Sequence, residues 1–368
     1  MKLPFTSTPK NICILRLSAV GDVCHTLAVV RSIQLQWPET KLTWIIGKLE
    51  ASLVGDIPDI EFIIFDKSKG LQAYRQLHRQ LKNQHFDALL HMQISIRSSI
   101  ASRFVRTPIR IGFDRDRAKD YQWLFTNIKI PAIPRQHVMD GLFEFARIIG
   151  VAADNPSDNS SEKSTRQLRW DIPIPPQARD FVQQHIPEDK PYVVISPCSS
   201  ARFRNWRNWS AEGYASICDY LAQEHGIMTV LTGGPSELEL KYGENIVRMA
   251  NSSPLNLIGK SNLKQLLAII KSARFIISPD SGPAHMATTV NTPVIGLYVT
   301  SNPDRTGPYL SQQWVINKYP EALKEETGHD VNEVPWGTRV RSPDAMQRIT
   351  TTDVIKKIEQ LLSANNQT

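Results

Sequence analysis

Four short stretches of the chain hold residue types that could do chemistry. The first, Ser18-Ala19-Val20-Gly21-Asp22-Val23, sets a carboxylate beside a glycine turn, and a carboxylate in a site can take a proton from an attacking hydroxyl. The second, Ser278-Pro279-Asp280-Ser281-Gly282-Pro283-Ala284-His285, combines Ser, Gly and Pro as a helix start does. Its free N–H groups and dipole would suit a phosphate or pyrophosphate, with His285 as an added donor. The third, residues 196–209, carries Ser199 and Ser200, three arginines (Arg202, Arg204, Arg207) and two tryptophans (Trp206, Trp209). Guanidinium forks match phosphate oxygens, while interleaved Arg and aromatic rings could also stack on nucleic-acid bases. The fourth, Thr232-Gly233-Gly234-Pro235-Ser236-Glu237, ends on a carboxylate able to hold ribose hydroxyls. Each has a plainer explanation. Asp before a helix is a favoured cap, an acidic first turn suits the helix dipole, and a histidine there can be merely satisfied.

Other chemistries lack their signatures. There is no GxGxxG, no GxxxxGK[ST], no HExxH and no GxSxG. Asp114-Arg115-Asp116 has the DxD pattern, yet arginines flank and interrupt it, so no metal is expected.

The elements that must position these residues follow from periodicity. Apolar runs at 12–17, 42–46, 62–65 and 88–92 read as strands, with helices at 25–36, 50–55, 71–83, 98–105 and 138–149. Residues 152–169 have almost nothing to bury and mark a flexible surface stretch near a boundary. The alternation restarts with strands at 192–196, 228–232, 255–258, 275–278 and 294–298, and helices at 211–224, 237–250, 263–272, 283–290 and 352–362. Two doubly wound α/β domains in series are expected, and all four chemical stretches are loops after strands. Ligands of such sheets bind beyond the strands' carboxyl ends, and two facing domains offer a cleft.

Composition agrees. At 368 residues, 41% hydrophobic and 21% charged, the chain is long enough for two globular domains. Residues 1–180 hold 25 basic and 18 acidic side chains and the remainder 18 of each, so the net +7 lies in the first half. That asymmetry suits an anionic partner, although surplus solubilising charge explains it equally. The neutral second half argues against nucleic acid at the Arg-Trp stretch. Cys13, Cys24, Cys198 and Cys218 form no close pair, which fits a reducing compartment. With neither a signal-peptide pattern nor an apolar run of membrane-spanning length, a cytoplasmic chain with peripheral membrane contact at most is expected.

Taken together, Arg16-Leu17-Ser18-Ala19-Val20-Gly21-Asp22-Val23 with His25-Thr26-Leu27, then the 280–285 motif, Pro293-Val294-Ile295-Gly296-Leu297-Tyr298 and Gly307-Pro308-Tyr309, resemble glycosyltransferase family 9. These are the bacterial ADP-heptose:lipopolysaccharide heptosyltransferases, and the likeness is greatest to the heptosyltransferase I type, which adds the first heptose to Kdo. The resemblance implies a GT-B fold, with two Rossmann-like domains facing a central cleft. Residues 1–175 would bind the acceptor and 176–345 the nucleotide sugar, with a final helix in 346–368 able to pack back on the first domain. It implies inverting transfer without metal or other cofactor, from ADP-heptose to Kdo-lipid A, at the cytoplasmic face of the inner membrane. Asp22 falls on the catalytic base. Asp280, Ser281, Gly282, Pro283 and His285 fall on the donor motif, Ser199 and Ser200 on diphosphate-contacting hydroxyls, and Glu237 near a ribose-contacting glutamate. Arg204 stands where the family has a lysine, so the charge is kept and its geometry changed. Ser18, Gly21, Gln93, Arg97, Arg115, Arg117 and Lys119 fall on the acceptor side. The alternatives are an enzyme acting on a heptose acceptor and a non-catalytic protein that binds anionic glycan or lipid. A dehydrogenase is disfavoured by the missing glycine fingerprint.

Overall fold

The computed structural model describes residues 4–151, 168–199 and 206–365. Two compact units divide the chain, Met1–Pro173 and Ile174–Thr368. In the first, strands β1 (Asn11–Leu15), β2 (Lys41–Gly47), β3 (Ile60–Phe65), β4 (Ala88–His91), β5 (Ile109–Gly112) and β6 (Ile128–Lys129) form one parallel sheet, ordered β3-β2-β1-β4-β5-β6. Helices α1 (Val20–Gln36), α2 (Lys48–Val54), α3 (Leu71–Leu81), α4 (Ile96–Ser102) and α5 (Val138–Ile149) complete it. In the second, β7 (Tyr192–Ile195), β8 (Met228–Leu231), β9 (Leu255–Asn256), β10 (Ile276–Pro279), β11 (Val294–Tyr298) and β12 (Ile316–Asn317) are also parallel, ordered β12-β11-β10-β7-β8-β9. Its helices are α6 (Pro176–His185), α7 (Ala211–His225), α8 (Glu237–Met249), α9 (Leu263–Ser272), α10 (Gly282–Thr289), α11 (Pro303–Thr306), α12 (Tyr319–Thr327) and α13 (Thr351–Asn365).

The sequence explains why the central strands are central. β1, Asn-Ile-Cys-Ile-Leu, is apolar after its first residue and fully buried there, as a strand covered on both faces must be. α1 buries Val23, Cys24, Leu27, Ala28, Val29, Val30 and Ile33, which surround the helix rather than striping it, and α1 packs on α5. Trp170 closes the first unit by donating its indole N–H to the Cys24 carbonyl at 2.9 Å, while Arg31 holds the Trp170 carbonyl at 3.1 Å.

Both sheets have one topology. The chain runs outward from the first strand, then returns to that strand's other side, so the winding reverses between β1 and β4 and again between β7 and β10. Loops splay apart at such a switch point, and each unit therefore has one ready-made place for a ligand.

Several elements differ from the sequence expectation. β5, interrupted by Arg110, and the two-residue β6 and β12 were not foreseen, nor were α6, α11 and α12. α1 begins at Val20, five residues ahead of the expected start, which puts Asp22 inside its first turn rather than before it. The final helix packs on α7, β11 and β12 of the second unit. Tyr220 of α7 donates to Glu359 at 2.6 Å, and Val354, Ile358 and Leu361 are fully buried. The stretch at 152–167 lies outside the described residues.

Candidate functional site

Each unit builds its cluster at its own switch point. In the first unit, the loop after β1 is held from three sides. Arg16 donates through Nε to the Ser18 carbonyl at 2.9 Å and through Nη1 to the Met92 carbonyl, and its Nη2 pairs with the Asp22 carboxylate. The Asp22 carboxylate also accepts from the Ala19 N–H at 3.2 Å, so capping and ion pairing coexist on one group. Its side chain stays 36% exposed while Arg16 is 11% exposed, a carboxylate fixed from behind and open in front. Gly21 is buried in the first turn of α1. Burial pushes the Cys24 thiol up to about 12, with the Asp22 charge adding to it, so Cys24 is no nucleophile.

Gln93, from the loop after β4, forms the third side. Its Oε1 accepts from the Leu17 N–H at 2.5 Å and the Ser18 N–H at 3.1 Å, and its Nε2 donates to Ser18 Oγ at 3.3 Å. Behind it, Gln122 donates to the carbonyls of His91 (2.9 Å) and Gln93 (3.0 Å). The resemblance put Gln93 on the acceptor side; in the structure its amide clamps the loop that carries Asp22. Gly47 of β2 faces the same loop. A Cβ there would collide with the Leu17 carbonyl oxygen and the Glu50 carboxylate.

The other acceptor-side residues divide by exposure. Arg97, Arg115 and Lys119 are exposed. Arg117 instead pairs with buried Asp114, donates to the Pro131 carbonyl at 2.6 Å and to Gln136 at 3.3 Å, and lies 5.8 Å from the Phe113 ring centroid. Asp114 also accepts from the N–H groups of Asp116 (3.0 Å) and Arg117 (3.2 Å). The DxD stretch is thus a braced turn, and Arg117 ties it to the fold.

In the second unit, the loops after β7 and β10 meet through Arg207. Its guanidinium, 12% exposed, donates to the Asp280 carbonyl at 2.8 Å and carboxylate at 3.1 Å. Ser301 donates to the same carboxylate at 2.9 Å, and His285 Nε2 lies 3.9 Å from its other oxygen. Burial alone would raise the Asp280 pKa, but the neighbouring His285 imidazole, the Arg207 charge and the Ser301 hydroxyl outweigh it and hold it at about 2. Asp280 therefore stays charged and locks Arg207 in place. Ser281, the residue before α10, turns its hydroxyl to Ser278 Oγ at 2.7 Å and does not cap the helix with it. The first-turn N–H groups of Gly282 and Ala284 thus have no cap from that side chain, and Pro283 has no N–H. A cationic fork beside an open helix start has the chemistry that suits an anion.

Ser199 is buried, and its N–H and hydroxyl both reach Asn208 Oδ1, at 2.9 and 3.3 Å. Ser200 and Arg204 lie outside the described residues. Glu237 is exposed at the start of α8, whereas Glu239 turns inward, accepting from the Gly234 N–H at 2.6 Å and the Ser236 hydroxyl at 2.9 Å. Sequence reasoning did not single out Arg16, Arg207, Ser301 or Glu239 for these roles. Arg207 was visible among three arginines, but nothing in the spacing says which one reaches back to β10.

Among the described residues, no group of three or more His, Cys, Asp or Glu is arranged to hold a metal, and no helix is long and apolar enough to cross a membrane. A family model described as glycosyltransferase family 9 (heptosyltransferase) matches residues 74–333. The lipopolysaccharide core heptosyltransferase OpsX of Haemophilus influenzae is 42% identical over 357 residues, 97% of this chain and 98% of its own. Two solved structures share the fold: the family 9 glycosyl transferase of Veillonella parvula (TM-score 0.75, 21% identity, 96% of this chain and 97% of that one) and the E. coli heptosyltransferase WaaC with ADP (TM-score 0.70, 18% identity, 95% and 99%).

Proposed function

This chain belongs to glycosyltransferase family 9 and has the GT-B fold, and on that premise we propose that it moves L-glycero-D-manno-heptose from ADP-heptose to Kdo of Kdo-lipid A, inverting the anomeric carbon without a metal. The observation that carries the proposal is Arg207, a nearly buried guanidinium gripped by Asp280 at the open start of α10. Such a group suits a diphosphate that becomes a leaving group, and it supplies charge another design would take from a cation.

In this proposal Asp22 accepts the proton of a Kdo hydroxyl, whose oxygen attacks the anomeric carbon. The bond from that carbon to the diphosphate oxygen breaks, and its electron pair leaves with ADP. Arg207 and the N–H groups of Gly282 and Ala284 take up the developing negative charge, with Ser199, Ser200, Arg204 and His285 as further contacts implied by the resemblance. Arg16 and Gln93 keep the Asp22 carboxylate aimed by fixing residues 16–18. Kdo rather than heptose is favoured as acceptor because it carries a carboxylate, which suits exposed Arg97, Arg115 and Lys119 in the basic first unit. An acceptor embedded in lipid would place the enzyme peripherally at the cytoplasmic face of the inner membrane.

The test is a turnover assay with ADP-heptose and two acceptors, Kdo-lipid A and the same molecule already carrying one heptose, each with and without EDTA. Expected are ADP release and the mass of one added heptose on the first acceptor, unchanged by EDTA. Turnover on the second acceptor alone would move the assignment to the next sugar. EDTA-sensitive turnover would refute metal independence, and binding without ADP release would refute catalysis.

A further inference from the structure

We propose that the turn Tyr121–Leu124, with the exposed face of α4, is a docking surface for a bilayer bearing anionic headgroups. The motive is an inverted turn. Gln122, its polar residue, is fully buried and hydrogen-bonded, while Tyr121, Trp123 and Leu124 are 62%, 44% and 61% exposed. Burial of three apolar side chains is the usual fate of such a sequence, and here the glutamine takes the inside. Its Oε1 accepts from the Phe113 N–H at 3.1 Å, so both ends of the amide anchor the turn. The three apolar groups are therefore held outward by a rigid inner contact.

The patch continues onto α4. The Gln93 carbonyl accepts from Gln122 Nε2 at 3.0 Å and from Ser98 Oγ at 3.2 Å, which ties the turn to the first turns of α4. There Ile96 and Ile100, one helical turn apart, are also exposed. Arg97 on α4, with Arg115 and Lys119 just ahead of the turn, adds exposed positive charge, against exposed Asp116 and Asp120. Tyr and Trp prefer the level where headgroups meet acyl chains, and flanking Lys and Arg are attracted to anionic headgroups. That pairing of apolar anchors with cations suits a lipid surface better than a second copy of this chain, which would bring the same cations face to face. The partner committed to is thus an anionic bilayer. The surface rests on exposure and charge alone; its link to catalysis, through Gln93 to Ser18, rests on the proposed transferase function.

The experiment is flotation of the full chain with phosphatidylcholine vesicles, with and without phosphatidylglycerol, for wild type and the double variant Trp123→Ser/Leu124→Ser. Wild type is expected to float with the phosphatidylglycerol vesicles and progressively less as salt is added. The double variant should partition at least about tenfold less, with an unchanged melting temperature because both side chains are exposed. Failure of wild type to float, a variant that floats as wild type does, or a loss that accompanies the break-up of a dimer seen without vesicles would each overturn the proposal. Turnover on a water-soluble Kdo saccharide separates the two claims. The double variant should retain it; vesicle binding by a chain that turns over no Kdo acceptor would leave the surface standing and the transferase proposal refuted.

Discussion

The side chain with most at stake is Arg207. It satisfies a carboxylate that is itself buried, so its removal leaves that charge without its guanidinium partner. Arg207→Met should cost about 3 kcal/mol in urea unfolding, because breaking a buried pair costs more than the pair contributes, and should raise the KM for ADP-heptose at least about tenfold. Arg207→Lys should recover much of the stability and less of the donor affinity, since an ammonium lacks the fork. Asp280 gives a second, pH-dependent prediction. Its folded pKa of about 2 lies below the ordinary 3.8, so its contribution, roughly 2 kcal/mol, is complete above the unfolded value and lost as pH falls from about 4 to about 2. Acid unfolding followed by circular dichroism should show this loss for wild type and a flatter curve for Asp280→Asn. At this scale the sequence was informative about residue type and silent about partners. Asp22 and Asp280 stood out because each follows an apolar run and meets a glycine; that Arg16 would face one and Arg207 the other is decided by backbone paths the residues themselves do not encode.

At the scale of elements, what was legible was whatever had a long apolar run. β1, β2, β4, β7, β10 and β11 are buried centres of their sheets and read as near-continuous Ile, Val and Leu, whereas β5 is interrupted by Arg110 and β6 and β12 are pairs of residues at sheet edges. A strand broken by a charge or only two residues long leaves no apolar run for periodicity to find, whereas the edge strands β3 and β9 lie in apolar runs and are legible. The misplaced start of α1 has a similar cause. Val20 and Gly21 precede the polar Asp22, and the pattern becomes helical to the eye only beyond it. The close fit of β2 against the loop after β1 predicts that Gly47→Ala destabilises by about 2 kcal/mol, because the new methyl meets the Leu17 backbone rather than a side chain that can move. Since Leu17 leads directly into the loop that holds Asp22, turnover should fall while donor affinity, which we propose rests on the other unit, stays within about twofold; urea unfolding and calorimetric titration with ADP-heptose check the two halves.

For the whole molecule, the repetition of one strand order in two units explains how a chain of this length acquires two clusters of unlike chemistry. The same topological reversal yields a carboxylate held by Arg16 in one unit and the Arg207–Asp280 pair, which we propose binds the donor's diphosphate, in the other. The charge distribution follows the same division, with 25 basic against 18 acidic side chains in residues 1–180 and 18 against 18 beyond. A neutral unit can still hold a diphosphate, because one placed guanidinium and a helix start suffice where a charged surface is absent. The division of labour is the central claim: proton removal belongs to the first unit and donor binding to the second. Asp22→Asn tests it most directly, through the ADP-heptose dissociation constant and the rate of heptose transfer to Kdo-lipid A measured on the same preparation. The account predicts an unchanged dissociation constant and a transfer rate lower by at least about a thousandfold; an Asn variant that transfers heptose at the wild-type rate, or one that no longer binds ADP-heptose, would contradict it.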